Sequence, residues 1–121
     1  MRPLVLISAF FVLAGCGGPA VLTASGAAGS DGLDCALAEA TARGYAVVDA
    51  EANVFFRARQ PKRYRFRRGD TESDVLTATL ARGRLTVLAT GEESTQDGNQ
   101  AIDPSGAAED EARAVVAACT E

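Results

Sequence analysis

The stretch DVLTATLARGRLTVLAT, residues 74–90, decides the fold of this chain. Two runs that alternate apolar and other residues flank the pair Arg82-Gly83, and a glycine-containing pair between such runs indicates a β-hairpin. Threonines occupy most of the alternate positions, which is typical of the solvent-facing side of an antiparallel sheet whose other side is buried. The predicted inner face consists of Leu76, Ala78, Leu80, Leu85, Val87 and Ala89.

Helices are predicted before and after the sheet. The first runs from about residue 33 to 43, with Asp31 as its cap and Gly44 just past its end. Pro104 can open the second, whose acids at 109–111 lie where the helix dipole favours negative charge. Helical spacing gives each helix one apolar stripe. The stripes are Leu33, Leu37 and Ala40 in the first helix, and Ala108, Ala112, Val115 and Cys119 in the second.

Two more strands are predicted between the first helix and the hairpin. Residues 45–50 (YAVVDA) and 54–59 (VFFRAR) are rich in β-branched and aromatic residues, and residues 51–53 can form the turn between them. Residues 91–103 (GEESTQDGNQAID) are polar and acidic and are predicted to form a loop.

The amino terminus has the layout of an export signal. Arg2 is followed by an apolar run at 4–13, too short to span a bilayer comfortably. The next residues, Leu13-Ala14-Gly15-Cys16, resemble the lipobox of bacterial lipoproteins. That resemblance implies cleavage before Cys16 and acylation of its thiol, and two or more acyl chains anchor a protein stably. The alternatives are an ordinary signal peptide and a buried cysteine in a hydrophobic helix.

The lipoprotein resemblance also implies a location. Gly17 after the cysteine resembles the pattern of lipoproteins delivered to the outer membrane, facing the periplasm; the alternative is the extracytoplasmic face of the plasma membrane. Residues 1–15 would be the signal peptide. Residues 16–30 are predicted to be a lipid-anchored flexible tether with a reach of about 20 Å. Residues 31–121 would then form a single domain.

The two remaining cysteines, Cys35 and Cys119, are predicted to form a disulfide, because an exported chain meets an oxidising compartment. The alternative is two free buried thiols. A disulfide needs Cα atoms within about 7 Å. Three intervening strands would make the helices parallel and leave the cysteines roughly 15–18 Å apart, whereas four make them antiparallel. The prediction is therefore an α+β fold, α-β-β-β-β-α, a four-stranded antiparallel meander with both helices on one face.

The segment 33–59 carries a second resemblance. A helix ending at Gly44-Tyr45, a strand with Val47 and Asp49, and the run Phe56-Arg57-Ala58 resemble small uncharacterised bacterial envelope lipoproteins. They also resemble the helix-grip domains of a lipoprotein component of the outer-membrane β-barrel assembly machinery. The disulfide and the long basic connection depart from that pattern. The resemblance concerns the fold, which does not decide function.

Residues 57–68 (RARQPKRYRFRR) hold seven of the twelve basic residues of a chain with net charge −4. Arginines alternate with aromatic residues, as in an extended arm with one basic and one aromatic face. Such an arm can bind lipid head groups, lipopolysaccharide, cell-wall carboxylates, an acidic partner or the chain's own acidic loop. The alternative is a solvated hairpin whose charges prevent edge pairing. The candidate binding residues are Phe55, Arg57, Arg59, Arg63, Tyr64, Arg65, Phe66 and Arg67.

Catalytic and metal-binding patterns find little support in the sequence. The chain has no histidine, which excludes histidine-based triads. Asp97, Asn99 and Asp103 resemble the start of a calcium loop, but Ala101 and Ala108 stand where two further ligands are needed. We expect no enzyme activity, no cofactor besides the lipid on Cys16, and no nucleic-acid partner for an exported chain. The sequence favours a structural or partner-docking envelope lipoprotein, with a binding module for an anionic envelope component as the alternative.

Overall fold

The computed structural model describes residues 19–51 and 62–121. In those two ranges the chain forms six strands and two helices. The strands are β1 (Leu22–Ala27), β2 (Ala46–Glu51), β3 (Arg63–Arg68), β4 (Glu72–Ala81), β5 (Arg84–Thr95) and β6 (Gly98–Ile102). The helices are α1 (Gly32–Ala42) and α2 (Gly106–Cys119). None of the helices in this part of the chain has the length and apolar character needed to cross a bilayer.

The strands form one antiparallel sheet in the order β1-β5-β4-β3-β2, with β6 also paired to β5. β1 pairs with residues 84–89 of β5, whereas β6 pairs with residues 91–95. These two strands therefore lie end to end along the same edge of β5. The predicted α+β class and antiparallel sheet are confirmed.

The predicted hairpin within residues 74–90 is confirmed. Leu80 lies opposite Leu85, and the turn residues Arg82 and Gly83 have φ values of 54° and 74°. Two consecutive positive φ angles are what a two-residue type I′ turn requires. The predicted inner face is buried against the helices, except that Leu80 is only partly buried.

The predicted count of four strands is wrong, because two segments predicted as irregular are strands. β1 lies inside residues 16–30, the predicted tether, where alternating side chains are half-buried against β5. β6 and the end of β5 lie inside 91–103, the predicted loop. Within the predicted tether, residues 22–27 are therefore part of the sheet. A fragment starting at Asp31 would lack a strand.

The partner of β2 also differs from the prediction. The predicted strand at 54–59 lies outside the described residues, and β2 instead pairs with β3, with Glu51 opposite Arg63. Five strands thus separate the two helices in the described chain. The helices are still antiparallel, because α2 begins beside Asp74 and ends beside Ala27 and so runs in the same direction as β6, while the disulfide joins the start of α1 to the end of α2. The prediction assumed that successive elements always alternate in direction, and this assumption was wrong. The antiparallel arrangement of the helices that was derived from it is right.

The disulfide between Cys35 and Cys119 is confirmed, with Cα atoms 5.6 Å apart. It joins the first turn of α1 to the last residue of α2. Both helices pack on the same side of the sheet, and most of their fully buried residues are alanines and valines. Ala36, rather than Leu37, is fully buried in α1. Small side chains let the helices approach the sheet closely but bury little area each.

The helix starts differ in detail from the prediction. α2 begins at Gly106, because the Ser105 hydroxyl accepts a hydrogen bond from the Ala108 amide at 3.0 Å and acts as the N-cap. Asp31 occupies the N-cap position of α1, but its side chain makes no capping hydrogen bond. The Asp31 carbonyl accepts from the Cys35 amide at 3.0 Å instead.

Candidate functional site

The sheet has one face that no helix or strand among the described residues covers, and we call it the open face. It carries the positions that alternate with the buried residues of β1, β3, β4 and β5. The register sets these positions in three rows across the strands. The rows are Arg63–Thr79–Thr86–Ser25, Arg65–Thr77–Leu88–Thr23, and Arg67–Val75–Thr90.

Hydroxyl groups occupy most of the middle of the open face. The threonines on β4 and β5 and the apolar side chain of Leu88 among them are half-buried. Val75 is only 1% exposed although alternation places it on this side, between Arg67 and Thr90. The surface is thus mainly polar, with an apolar component at its centre.

Two of the β3 arginines on this face are paired with one acid of the same sheet. Arg65 forms an ion pair with Glu92, and Arg67 Nη2 lies 3.7 Å from Glu92 Oε1. Arg67 Nε also donates to the Ser73 hydroxyl at 3.1 Å. Glu92 belongs to the acidic segment 91–103, so this segment supplies the partner of two of the predicted binding cations.

The structure separates the aromatic residues of the predicted arm from the arginines. Phe66 is 1% exposed and belongs to the core under the helices, so its prediction as a ligand-binding residue is wrong. Tyr64 is half-buried on the same side, with its ring centroid 5.8 Å from that of Phe66. Period-two alternation sends aromatic and basic side chains of one strand to opposite faces. Within β3, the basic side rather than the aromatic side is therefore available to a ligand.

Several predicted residues cannot be placed on this surface. Phe55, Arg57 and Arg59 lie outside the described residues, as does the lipidation candidate Cys16. Arg63 begins β3 and is exposed.

A second polar cluster, which sequence reasoning missed, joins α2 to β3. Arg68 donates two hydrogen bonds to the Glu111 carboxylate, from Nη1 to Oε2 at 2.7 Å and from Nη2 to Oε1 at 2.5 Å. Its guanidinium carbon lies 4.2 Å from the centre of the Tyr45 ring, and Tyr45 Oη donates to Glu111 Oε1 at 3.1 Å. Glu111 follows Ala108 by three positions and precedes Val115 by four, so its place beside the apolar stripe was a usable signal.

Near neutral pH, the surroundings in this cluster keep the Glu111 carboxyl ionised and the Tyr45 phenol protonated. The hydrogen bonds from Arg68 lower the pKa of the Glu111 carboxyl. Burial, followed by the charge of Glu111, raises the pKa of the Tyr45 phenol well above its ordinary value. The carboxylate stays ionised and the phenol stays protonated, so neither group is suited to proton transfer. This favours a structural role, in which the cluster connects α2 to the sheet.

Replacement of Glu111 by glutamine is expected to lower the free energy of unfolding at pH 7 by about 1–2 kcal/mol, a typical cost for a partly exposed charge-assisted pair. Because folding lowers the pKa of this carboxyl, its contribution is fully present above the ordinary pKa of 4.5. It is lost as the pH falls through the lowered value. Urea unfolding from pH 7 to pH 3 should therefore show a shallower acid decline for the variant. The control is Glu109→Gln, outside the cluster; an equal loss in both variants would contradict the assignment.

A cleft of about 230 Å³ lies where β4 and β6 meet the start of α2. Asp74 accepts there from the Ser105 amide at 3.1 Å and from its hydroxyl at 2.8 Å. Asp103 Oδ1 accepts from the Ala20 amide at 2.7 Å. Asp74 therefore holds the start of α2, and Asp103 holds the backbone at Ala20. The lining residues are Glu72, Ser73, Asp74, Ile102, Asp103 and Ser105.

The residues that resemble a calcium loop are spread along the β5–β6 hairpin. Asp97 lies in its turn, Asn99 in β6, and Asp103 just after β6. Asn99 and Asp103 are separated by about 13 Å of extended chain. No group of three or more acidic, cysteine or histidine side chains suited to a metal ion occurs among the described residues.

No protein-family model, curated protein or solved structure matches the chain.

Proposed function

We propose that the chain is a non-catalytic, lipid-anchored envelope protein that docks a protein partner on the open face of its sheet. The supporting observation is the one-sided packing, in which both helices lie on one face and no helix or strand of residues 19–51 and 62–121 lies over the hydroxyls and arginines of the other. The motif ending at Cys16 supplies the proposed anchor, in the outer membrane facing the periplasm or on the extracytoplasmic side of the plasma membrane. The lipid is the only cofactor in this proposal.

The chemistry of the open face suits a protein surface. Threonine hydroxyls donate and accept hydrogen bonds, and arginine is enriched in protein interfaces. Glu92 holds Arg65 and Arg67 in place, which reduces the side-chain entropy lost on binding. Half-buried Leu88 adds apolar area at the centre of the rows.

The second candidate is a binding module for an anionic envelope component, through residues 57–68. The charges of Arg65, Arg67 and Arg68 are compensated by Glu92, Glu111 and Asp74, which weakens that candidate. The exposed side chain of Lys62 is the observation that favours this candidate. A steep loss of binding to anionic vesicles or lipopolysaccharide in the variant Arg63→Gln/Arg65→Gln/Arg67→Gln would favour it over protein docking.

The double variant Thr77→Glu/Thr86→Glu is expected to lose the docked partner. It places two carboxylates on the open face without changing the core, and an unpaired charge buried in an interface costs more than about 1.4 kcal/mol, or about tenfold in affinity. The measurement is the amount of envelope protein that co-purifies with the full-length anchored chain, quantified by mass spectrometry.

The matched control is Ala107→Glu/Ala117→Glu, which adds the same charge at exposed positions of α2. The control is expected to keep the complex, and thermal unfolding of both variants should show that both are folded. Retention of the complex in the open-face variant, or equal loss in both, would refute docking on this face.

A further inference from the structure

The β5–β6 hairpin extends beyond the start of β1 and, by a shorter distance, beyond the start of β4 at one end of the sheet. β4 begins at Glu72, opposite Glu93, and β1 begins at Leu22, opposite Ala89. From the level of Gly91, where β1 pairing has ended, the hairpin continues to Thr95 before it turns. Four residues of extended strand place the tip about 14 Å beyond the level of Gly91. Because β4 pairs with β5 as far as Glu93, the tip passes the start of β4 by two residues, about 7 Å.

The proposed anchor joins the domain beside the base of that hairpin. The Ala20 amide donates to Asp103 Oδ1 at 2.7 Å, and Asp103 directly follows the end of β6. The chain from Cys16 to Ala20 spans four residues, so its greatest length is also about 14 Å. The greatest length of the link therefore equals the distance from the level of Ala20 to the tip of the hairpin.

The opposite end of the sheet lies beyond the reach of this link. β1 runs from Leu22 to Ala27, which lies opposite Arg84 next to the Arg82-Gly83 turn. Seven residues of extended chain separate Ala20 from Ala27, about 24 Å. A domain turned with the Arg82-Gly83 end towards the membrane would need a link of that length, and about 14 Å is available.

We infer that the tip of the β5–β6 hairpin is the membrane-facing end of the anchored protein and contacts the lipid head groups. This inference depends on the proposed lipid anchor at Cys16. The strands then run along the membrane normal, and the open face stands beside the bilayer, accessible to a partner from the compartment. The end that carries the exposed residues Lys62, Arg82 and Arg84 faces away from the membrane.

The chemistry of the hairpin tip fits contact with head groups without insertion. All of its residues from 94 to 100 are exposed. They carry hydroxyl and amide groups, which can hydrogen-bond to phosphate and glycerol oxygens. Asp97 is the only charged residue among them, and no large apolar side chain is present to enter the acyl region. The short link, rather than intrinsic affinity for lipid, keeps the hairpin at the surface.

The test couples the chain that begins at Cys16 to a maleimide lipid in a phosphatidylcholine nanodisc containing a gadolinium-chelating lipid. The bridged Cys35 and Cys119 leave Cys16 as the reactive thiol, and the mass of the product should show one attached lipid. The amide NMR signals of Gln96, Asp97 and Asn99 are expected to be lost, while those of Arg82 and Gly83 persist. Equal loss at both ends, or greater loss at Arg82 and Gly83, would overturn the inference.

The control is a chain with about 12 glycine and serine residues inserted after Gly18, which raises the maximum link above 40 Å. Its signal loss is expected to become similar at both ends, and persistence of the difference would overturn the length-based account. Chemical coupling makes the test independent of natural acylation. Failure of the anchor proposal would instead be seen in the mass of the native protein, so the two failures are distinguishable.

Discussion

Replacement of both Cys35 and Cys119 by serine is expected to lower the free energy of unfolding by about 4 kcal/mol, because the unfolded chain regains the freedom of an open loop. The bond joins residues 84 positions apart. Small domains of this kind have total stabilities of about 5–15 kcal/mol, so the loss is a large part of the total. The alanine-rich helix stripes, which bury little area per residue, make the fold dependent on this bond. Urea unfolding under oxidising conditions measures the difference.

Reduction supplies the control for this prediction. A reducing agent should lower the stability of the native chain by a similar amount and leave the double serine variant unchanged. A difference between the native and variant chains below about 1 kcal/mol would show that the helices are held together without the bond.

The variant Phe66→Ala is expected to lose about 3–5 kcal/mol of stability, the usual cost of removing a buried aromatic side chain. Phe66 is among the largest fully buried side chains of the described residues and belongs to the core that the helices cover, with the Tyr64 ring beside it. Thermal and urea unfolding measure the loss. Binding of a partner at the open face should be unchanged in whatever fraction remains folded, because the ring lies on the other face.

Arg65→Ala is the matched control on the same strand. Its side chain is 45% exposed and pairs with Glu92 on the open face, so its loss should cost less than about 1 kcal/mol. Comparable destabilisation by the two variants would contradict the assignment of opposite faces along β3.

The parts of the fold that the sequence predicted depend on local signals. The Arg82-Gly83 pair specifies its turn through two positive φ angles, and strict alternation places the inner faces of β4 and β5. The two cysteines determine how the helices lie. Each of these features is readable because neighbouring residues, or one covalent bond, decide it.

The parts that were missed depend on tertiary contacts. β1 consists mainly of small and hydroxyl residues, so its local signal for a strand is weak. It is a strand because its backbone pairs with the edge of β5. The charged run of β3 resembles an arm, and the more apolar run at 54–59 is the stronger local match for a partner of β2. The ion pair between Arg68 and Glu111 joins residues 43 positions apart, and no local sequence pattern predicts it.

The candidate site was predicted in part for the same reason. Alternation along β3 correctly separated arginines from aromatic residues, but the sequence could not say which of the two sides the helices would cover. The neutralisation of Arg65 and Arg67 by Glu92 depends on the register of β3, β4 and β5 and became visible only in the assembled sheet.

The mass of the amino-terminal peptide of the native membrane-extracted protein tests the central claim most directly. The lipid-anchor proposal predicts a mature chain that begins at Cys16, with a diacylglyceryl group on its sulfur. A mature chain that begins at another residue, or an unmodified Cys16 thiol, would contradict the account.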